Sequence, residues 1–585
     1  MKAILKQISF ILDKKQKKKI PLLIIMMLLG GILEALGVSI IIPFVAAITN
    51  NDKFNNNNVI RWIYSEFPII NEKIIIVLML VGLIVIYIIK NLYLFLMNYV
   101  QYKYIYSNQN ALMNKLLSIY LKKPYDYFLN TNVAQVSAVI TTDVPATFTA
   151  LTNAVLFFSD LVICIFLFGL LLVTDIYMTL IIAAILGITM LEIRKRFKPV
   201  SKRIGEETRT NYINMAKCIN QSVHGIKDVK VLQKEDSFMY SFQKNVFNYT
   251  QSLKKNALLG QIPRSLIETV SIISVAIYLI IVTVLGKNLS NMLPQISAFA
   301  LAIIRLMPSA NRISNYINGM AYLSVSVNKV YEEVLSIQNS HEEASNSKSV
   351  KSIKFNIFNK IELKNIEFNY PGSEMRIFEK ANMQIPIGKS IGIIGESGAG
   401  KSTIVDILLG LLVINSGEIL IDNKSIFTNY RGWLSEVGYI PQMIYMLDDT
   451  IMANITFNYN NQEEDKKRLW EVLEEAQLAD FVRELPEGIN TTIGERGVRL
   501  SGGQRQRIGI ARALYHNPSI LIFDEATSAL DGDTENAIIE SIEKMHGKKT
   551  MIIIAHRLAT IRGCDAIYKV ENKTIKVVDK DSLHI

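Results

Sequence analysis

The sequence predicts two fold classes in one chain: an α-helical membrane domain with six transmembrane helices, then an α/β domain on a largely parallel sheet. Three observations lead there. Long apolar runs crowd the first half and stop near Met307. After about Gln338 none approaches the ~20 residues a crossing needs, and short β-type runs alternate with helical patterns. Half of the 585 residues are hydrophobic and mean hydropathy is +0.25, a balance that a wholly soluble chain rarely reaches.

The six candidate spans are 20–49, 74–99, 148–173, 176–193, 259–286 and 292–310. The first follows the basic stretch Lys14-Lys15-Gln16-Lys17-Lys18-Lys19. Its apolar run outlasts the ~7–15 residues of a cleavable signal, so it reads as a span with its basic flank in the cytoplasm. The N-terminus and the segments 101–147 and 194–258 are rich in Lys and Arg, whereas 50–73 has only Lys53, Arg61 and Lys73, and 287–291 only Lys287. This alternation places the N-terminus, the two long connections and the rest of the chain inside. Both long connections are polar and periodic enough to extend the spans as helical stalks. Between spans one and two, Val59, Ile60, Ile63, Tyr64 and Phe67 share one helical face, either a short helix on the outer surface or a loop with anchoring aromatics.

The net charge of +11 first suggests a nucleic-acid partner. The lysines flank membrane runs instead, so the charge is read as topology and no nucleic acid is expected. Cys164, Cys218 and Cys564 are scattered without metal-ligand spacing and read as idle thiols. The boundaries are a membrane domain over 1–337, a polar linker over 338–354 and an α/β domain over 355–585.

In the α/β domain, the strand run Ser390–Ile394 enters Gly395-Glu396-Ser397-Gly398-Ala399-Gly400-Lys401-Ser402-Thr403, followed by an apolar helix. This is the P-loop pattern, whose backbone N–H groups wrap phosphates at a helix N-terminus. Lys401 is expected on the β- and γ-phosphates of ATP and Ser402 on Mg²⁺. A second buried strand, Ile520–Phe523, ends in Asp524-Glu525. Asp524 is placed to hold the Mg²⁺ shell and Glu525 to polarise the attacking water.

Leu500-Ser501-Gly502-Gly503-Gln504 makes the resemblance specific, because LSGGQ is the signature of ABC transporter ATPases. The second domain thus resembles an α/β P-loop ATPase (ABC nucleotide-binding) domain throughout. By that resemblance Tyr370 stacks on adenine, Gln442 is the Q-loop glutamine and a Mg²⁺ contact, Ser528–Asp531 form the D-loop, and His556 is the switch histidine. The family's signature comes from the opposite subunit, so each nucleotide lies between Lys401 of one chain and Ser501, Gly502, Gly503 and Gln504 of the other. With one complete ATPase domain per chain, a homodimer is the simplest closure. Gly494–Gly497 resembles the exporter X-loop. Six spans ahead of the ATPase is the exporter half-transporter arrangement, which implies a bacterial inner membrane and a cytoplasmic ATPase domain. The resemblance also implies two coupling helices, near Asn132–Val136 and Val223–Val229, with Ala134 and Ala138 where the first usually carries a small residue and an arginine.

Charged groups inside spans are costly. Lys90, Arg264, Arg305 and Arg312 lie in or near spans two, five and six, and Glu34, Asp160 and Glu268 in spans one, three and five. Either each base meets an acid or snorkels, or the bases form a cationic belt for a phosphate-bearing substrate. Arg305–Ile313 resembles the end of span six in bacterial lipid-linked oligosaccharide flippases and polysaccharide ABC exporters, which implies a lipid-linked glycan as cargo among membrane lipids. A multidrug or lipid exporter needs the same ATPase and a greasier cavity. An ATP-gated channel or regulatory subunit is a third class, against which the intact Glu525 and His556 argue.

Overall fold

The computed structural model describes residues 2–39, 72–174, 176–284, 293–344, 359–458, 465–525, 540, 545–555 and 558–580. The chain divides into two compact units, Met1–Lys123 with Thr131–Ala344, and Pro124–Asn130 with Ser345–Ile585.

The first unit is helical. Helix α1 (Lys2–Ile11) buries Ile4, Ile8 and Ile11, the i, i+4 and i+7 face that an amphipathic helix turns to its neighbours. Next come α2 (Ile20–Ser39) and α3 (Glu72–Tyr120). The short α4 (Tyr125–Leu129) groups with the second unit. The first unit resumes with α5 (Val144–Thr174), α6 (Ile176–His224), α7 (Ile226–Val231), α8 (Glu235–Val284) and α9 (Leu293–Ala344). Five of the six apolar runs begin within or beside α3, α5, α6, α8 and α9, and the first begins α2. The tail of the first run and the surface segment 59–67 lie outside the described residues. By length and hydropathy, Leu80–Tyr120 and Val133–Gly169 qualify as membrane spans among the described residues.

The stalks expected from the long polar connections are present: α3, α6, α8 and α9 run on as single helices of 49 to 52 residues. Pro199, Pro263 and Pro308 stand inside α6, α8 and α9 without ending them. Helix α9 continues to Ala344, so the first part of the predicted linker is helical. α5 packs along α9 and α2, and α6 along α8 and α9. At Gly205 of α6 a Cβ would lie 2.1 Å from the Tyr322 carbonyl of α9, so only glycine permits that approach.

The second unit has two sheets. Strands β1 (Lys360–Asn369), β2 (Arg376–Pro386), β4 (Ser416–Ile421) and β5 (Lys424–Ser425) pair antiparallel in the order β2-β1-β4-β5. The other sheet holds β3 (Ser390–Gly395), β6 (Val437–Ile440), β7 (Ile520–Asp524), β8 (Thr550–Ile554), β9 (Ala566–Glu571) and β10 (Thr574–Val578). Its order is β10-β9-β3-β8-β7-β6, parallel except for the β9–β10 edge. β7 and β8 are buried at every position, as continuous apolar runs in a parallel sheet require. The C-terminal ends of adjacent β3, β8 and β7 therefore open on one edge, where a parallel sheet presents its ligand.

Candidate functional site

The P-loop joins β3 to α10 (Lys401–Leu408). Gly400 caps α10 at φ +104°, and a Cβ there would meet Ile377 and Phe378 at 2.9 Å. The loop thus closes tightly enough to turn backbone N–H groups toward an anion. The Lys401 ammonium is buried inside that curve and donates to the carbonyls of Gly395 (3.0 Å) and Glu396 (3.1 Å).

Register places the acidic tip beside the loop. β3 and β7 flank β8, so Ser402 at the start of α10 reaches Asp524 at the end of β7. The Ser402 hydroxyl donates to Asp524 Oδ1 at 3.1 Å. Glu525 follows in the left-handed region (φ +51°) and accepts from the Gln442 amide at 2.5 Å. Tyr370 and Thr403 share a hydrogen bond of 3.0 Å, which holds the tyrosine ring against α10. These contacts gather Tyr370, Lys401, Ser402, Thr403, Gln442, Asp524 and Glu525 around one loop. Ser528–Asp531 and His556 fall outside the described residues.

Two contributors were missed from sequence. Tyr439 of β6 donates to Asp524 Oδ2 at 3.5 Å. Burial pushes its hydroxyl pKa up, helped by the charges of Asp524 and Asp406. Burial, with Asp524 beside it, pushes the Asp406 carboxyl up to about 6. Burial likewise raises Asp524, against the hydrogen bond from Ser402. A lone acid in the apolar helix Ile404–Leu412 was the signal for Asp406. For Tyr439 it was a polar-tipped ring on β6, three residues before Gln442. The hydroxyl of Ser402, the carboxylate of Asp524 and the amide oxygen of Gln442 are hard oxygen donors, and crowded carboxylates favour a divalent cation. The set fits Mg²⁺.

The signature motif stands elsewhere. Ser501 caps α11 (Gly502–Tyr515): its hydroxyl accepts from Gln504 N at 3.2 Å, and its own N–H donates to Gln504 Oε1 at 2.8 Å. This capping box fixes the helix start and leaves Ser501 and Gly502 exposed. Among the described residues no hydrogen bond or ion pair joins Leu500–Gln504 to the P-loop group.

The piece of the first half that groups with this unit is 124–130, not Asn132–Val136. The Asp126 carboxylate accepts from Val413 N at 3.3 Å. Asn132 instead caps the helix Val133–Ala138 of the first unit, accepting from Ala134 N at 2.9 Å. The chemical reason is local: Pro124 starts α4, and Asn130-Thr131 ends it before Asn132 starts the next helix. At the second expected position, Val223, Ile226, Val231 and Leu232 form an exposed apolar tip around α7.

In the first unit, Lys90 forms a buried ion pair with Glu34 at 2.8 Å. Arg312 forks onto Asp160 at 2.7 and 2.8 Å and also donates to the Ser309 hydroxyl. Arg264 is exposed and has no ion-pair partner among the described residues; the side chain of Arg305 lies outside them. A further pair went unforeseen: Asp143, fully buried, takes a two-pronged contact from Arg209 and a 2.7 Å bond from Ser326. It ties the π-helical segment Val139–Asp143 before α5 to α6 and α9.

Comparison with known proteins agrees with this geometry. Residues 5–308 match the model of the ABC transporter transmembrane region, and residues 378–528 that of the ABC transporter. An ATP-dependent lipid A-core flippase from Shewanella oneidensis is 30% identical over 467 residues, 78% of this chain and 75% of that protein. Flippases of the same name from two other Shewanella strains are matched over 64% of their length. The alpha-hemolysin translocation ATP-binding protein HlyB of Escherichia coli O157:H7 is 33% identical over 66% of this chain and 54% of its own. The structure of a bacterial Atm1-family ABC exporter with ATP bound superposes with a TM-score of 0.79 at 21% identity, covering 98% of this chain and 96% of that one.

Proposed function

The chain belongs to the ABC transporters, as an exporter half-transporter that couples an ATPase to membrane transport, and we propose that two copies flip a phosphate-bearing glycolipid, a lipid-linked oligosaccharide or related polysaccharide precursor, from the cytoplasmic to the outer leaflet of a bacterial inner membrane. The observation that carries the ATP-driven part is the split site. Lys401, Ser402, Asp524, Glu525 and Gln442 converge on one loop, while among the described residues no hydrogen bond or ion pair ties the exposed Ser501–Gly502 helix start to that loop. A second copy supplies that helix start to the γ-phosphate, so hydrolysis waits for closure of the dimer.

In that site Lys401 leaves the loop carbonyls for the β- and γ-phosphates. Glu525, oriented by Gln442, accepts a proton from the attacking water, and His556 contacts the γ-phosphate as the switch. Ser402, Asp524 and Gln442 would hold Mg²⁺, which would neutralise phosphate charge. Tyr370 stacks on the adenine. The exposed tip around α7 docks on the partner's ATPase domain.

The cargo reading rests on the Arg305–Ile313 resemblance, on relatives named as lipid A-core flippases, and on Arg264, an exposed cation of α8 with no ion-pair partner among the described residues. Lys90 and Arg312 join such a belt only if cargo phosphate competes with Glu34 and Asp160. A second reading has its own observation. A cavity of about 320 Å³ between α5, α6, α8 and α9 is almost wholly apolar, lined by Leu161, Phe168, Leu171, Leu186, Ile267 and Met307, which favours a greasy lipid or drug. Proteoliposomes settle the choice. A pyrophosphate-linked glycolipid should stimulate ATP hydrolysis and change leaflet, and a neutral hydrophobic drug should not. The reverse pattern removes the glycolipid.

A further inference from the structure

Helix α6 leaves its apolar run at Leu191 and enters a basic stretch, Arg194-Lys195-Arg196-Phe197-Lys198. Three basic groups of this helix are answered four residues away: Arg196 by Glu192 at 3.3 Å, Lys202 by Glu206 at 3.7 Å and Arg203 by Glu207 at 3.0 Å. Arg194, Lys195 and Lys198 have no such glutamate, and of these Arg194 and Lys198 form a pair. They stand four apart, so they share a face, and each has a like charge where the others have a glutamate. Among the described residues neither has an ion-pair partner. Like charges at this spacing destabilise a helix unless an anion lies between them.

The surroundings specify that anion. Arg194 and Lys198 line two adjoining recesses. One, of about 50 Å³, has an apolar wall of Ile4 from α1, Phe157 from α5, and Ile317 and Met320 from α9. The other is an open groove along the surface of α6, past Leu191, Lys195 and Pro199. Glu192 also borders it, but its carboxylate accepts from Arg196. A cationic fork over an apolar slot, at the cytoplasmic end of a span, matches an anion that carries hydrocarbon.

We propose that Arg194 and Lys198 bind the phosphodiester headgroup of an anionic phospholipid of the cytoplasmic leaflet, with the adjoining acyl region against Ile4, Phe157 and Met320. The bound lipid clips α1 to α6 and α9, so it acts on the membrane domain from its bilayer side. This site is independent of the cargo and holds if the glycolipid reading fails.

The test uses the full chain, purified in detergent and returned to nanodiscs. Native mass spectrometry counts retained phosphatidylglycerol against phosphatidylcholine, and ATP hydrolysis is followed as phosphatidylglycerol is titrated in. Wild type should retain phosphatidylglycerol selectively. Each juxtamembrane basic group is worth roughly a fivefold change in affinity for an anionic lipid, so Arg194→Gln with Lys198→Gln should weaken binding at least tenfold. Arg194→Lys with Lys198→Arg should restore it. Lys217→Gln with Lys244→Gln, exposed sites elsewhere in the unit, should leave it intact. Equal loss in that control means diffuse attraction to basic charge and overturns the site. So does unchanged binding in the Gln pair, or equal retention of phosphatidylcholine. Displacement of phosphatidylglycerol by undecaprenyl pyrophosphate at equimolar ratio would assign the fork to cargo and overturn the proposal as well.

Discussion

Replacing Glu34 by Gln should destabilise the membrane domain far more than replacing Glu34 and Lys90 together. The Lys90 side chain is 4% exposed, Glu34 is 13% exposed, and the ammonium lies 2.8 Å from the carboxylate. That ammonium also sits 4.6 Å from the Tyr87 ring, which cannot replace a full counter-charge. The single change strands a buried cation, and breaking such a pair costs about 3–5 kcal/mol. The double variant Glu34→Gln, Lys90→Met removes both charges, and replacing a buried pair with apolar groups is close to neutral. The two effects should therefore miss additivity by at least ~2 kcal/mol. Thermal unfolding of the purified full chain, measured for both single variants and the double in one detergent, reads this directly. If the double variant is as unstable as the summed singles, the pair is not a mutual counter-ion, and Lys90 is available to cargo. If the double variant is stable, its transport activity isolates the belt: loss of glycolipid flipping with ATP hydrolysis intact would give Lys90 a second role.

Glu525→Gln should bind ATP and barely hydrolyse it, trapping a closed dimer detectable by cross-linking; near-normal turnover removes Glu525 from the base role. Mixing a Lys401→Ala chain with a Ser501→Ala chain, each inactive alone, should restore part of the ATPase, because one composite site of the heterodimer carries both defects and the other carries neither. Full-rate hydrolysis by a monomer contradicts the split site. Asp406, at about 6, lies above its unfolded value of about 4. Its contribution to stability is therefore complete below about pH 4 and lost as pH rises through about 6. Asp406→Asn should raise the apparent Tm of the nucleotide-free protein near neutral pH and change it little near pH 4; an equal gain at both values would mean that packing, not charge, is responsible.

The ATPase site was legible because its chemistry is local. A P-loop needs its glycines, lysine and serine in consecutive positions, and the register of β3, β8 and β7 then delivers Asp524 to Ser402 without further information. Ser501 was legible for the same reason, as the cap of its own helix. The membrane charges were not, because pairing there is tertiary. Lys90 meets Glu34 across 56 positions and Arg312 meets Asp160 across 152. Hydropathy locates such groups at a depth in a span but leaves their azimuth open. Asp143 escaped notice because it lies outside every apolar run, and only the packing of α6 and α9 brings Arg209 and Ser326 to it.

The displaced coupling segment shows how the two kinds of information combine. The expectation of Asn132–Val136 rested on a family position, and the cap geometry of Asn132 did match a helix start. What decides the docking segment is which side chains touch the ATPase fold, and those belong to Tyr125–Leu129. Asp126 meets the backbone of Val413, just past the end of α10, by a hydrogen bond. Burial pushes the Tyr125 hydroxyl pKa up, and the charge of Asp406 adds to the shift. Burial, Asp524 and then Asp406 raise the Tyr439 hydroxyl, which donates to Asp524. A five-residue helix from the first half of the chain thus meets the segment that follows the Lys401 helix and lies within electrostatic reach of Asp406. Tyr439→Phe would keep the packing and remove the hydroxyl that steadies Asp524, so it should weaken nucleotide-dependent Mn²⁺ binding, read by electron paramagnetic resonance, while ATP binding in chelator stays unchanged. Mn²⁺ affinity equal to wild type would leave the carboxylate positioned by Ser402 alone.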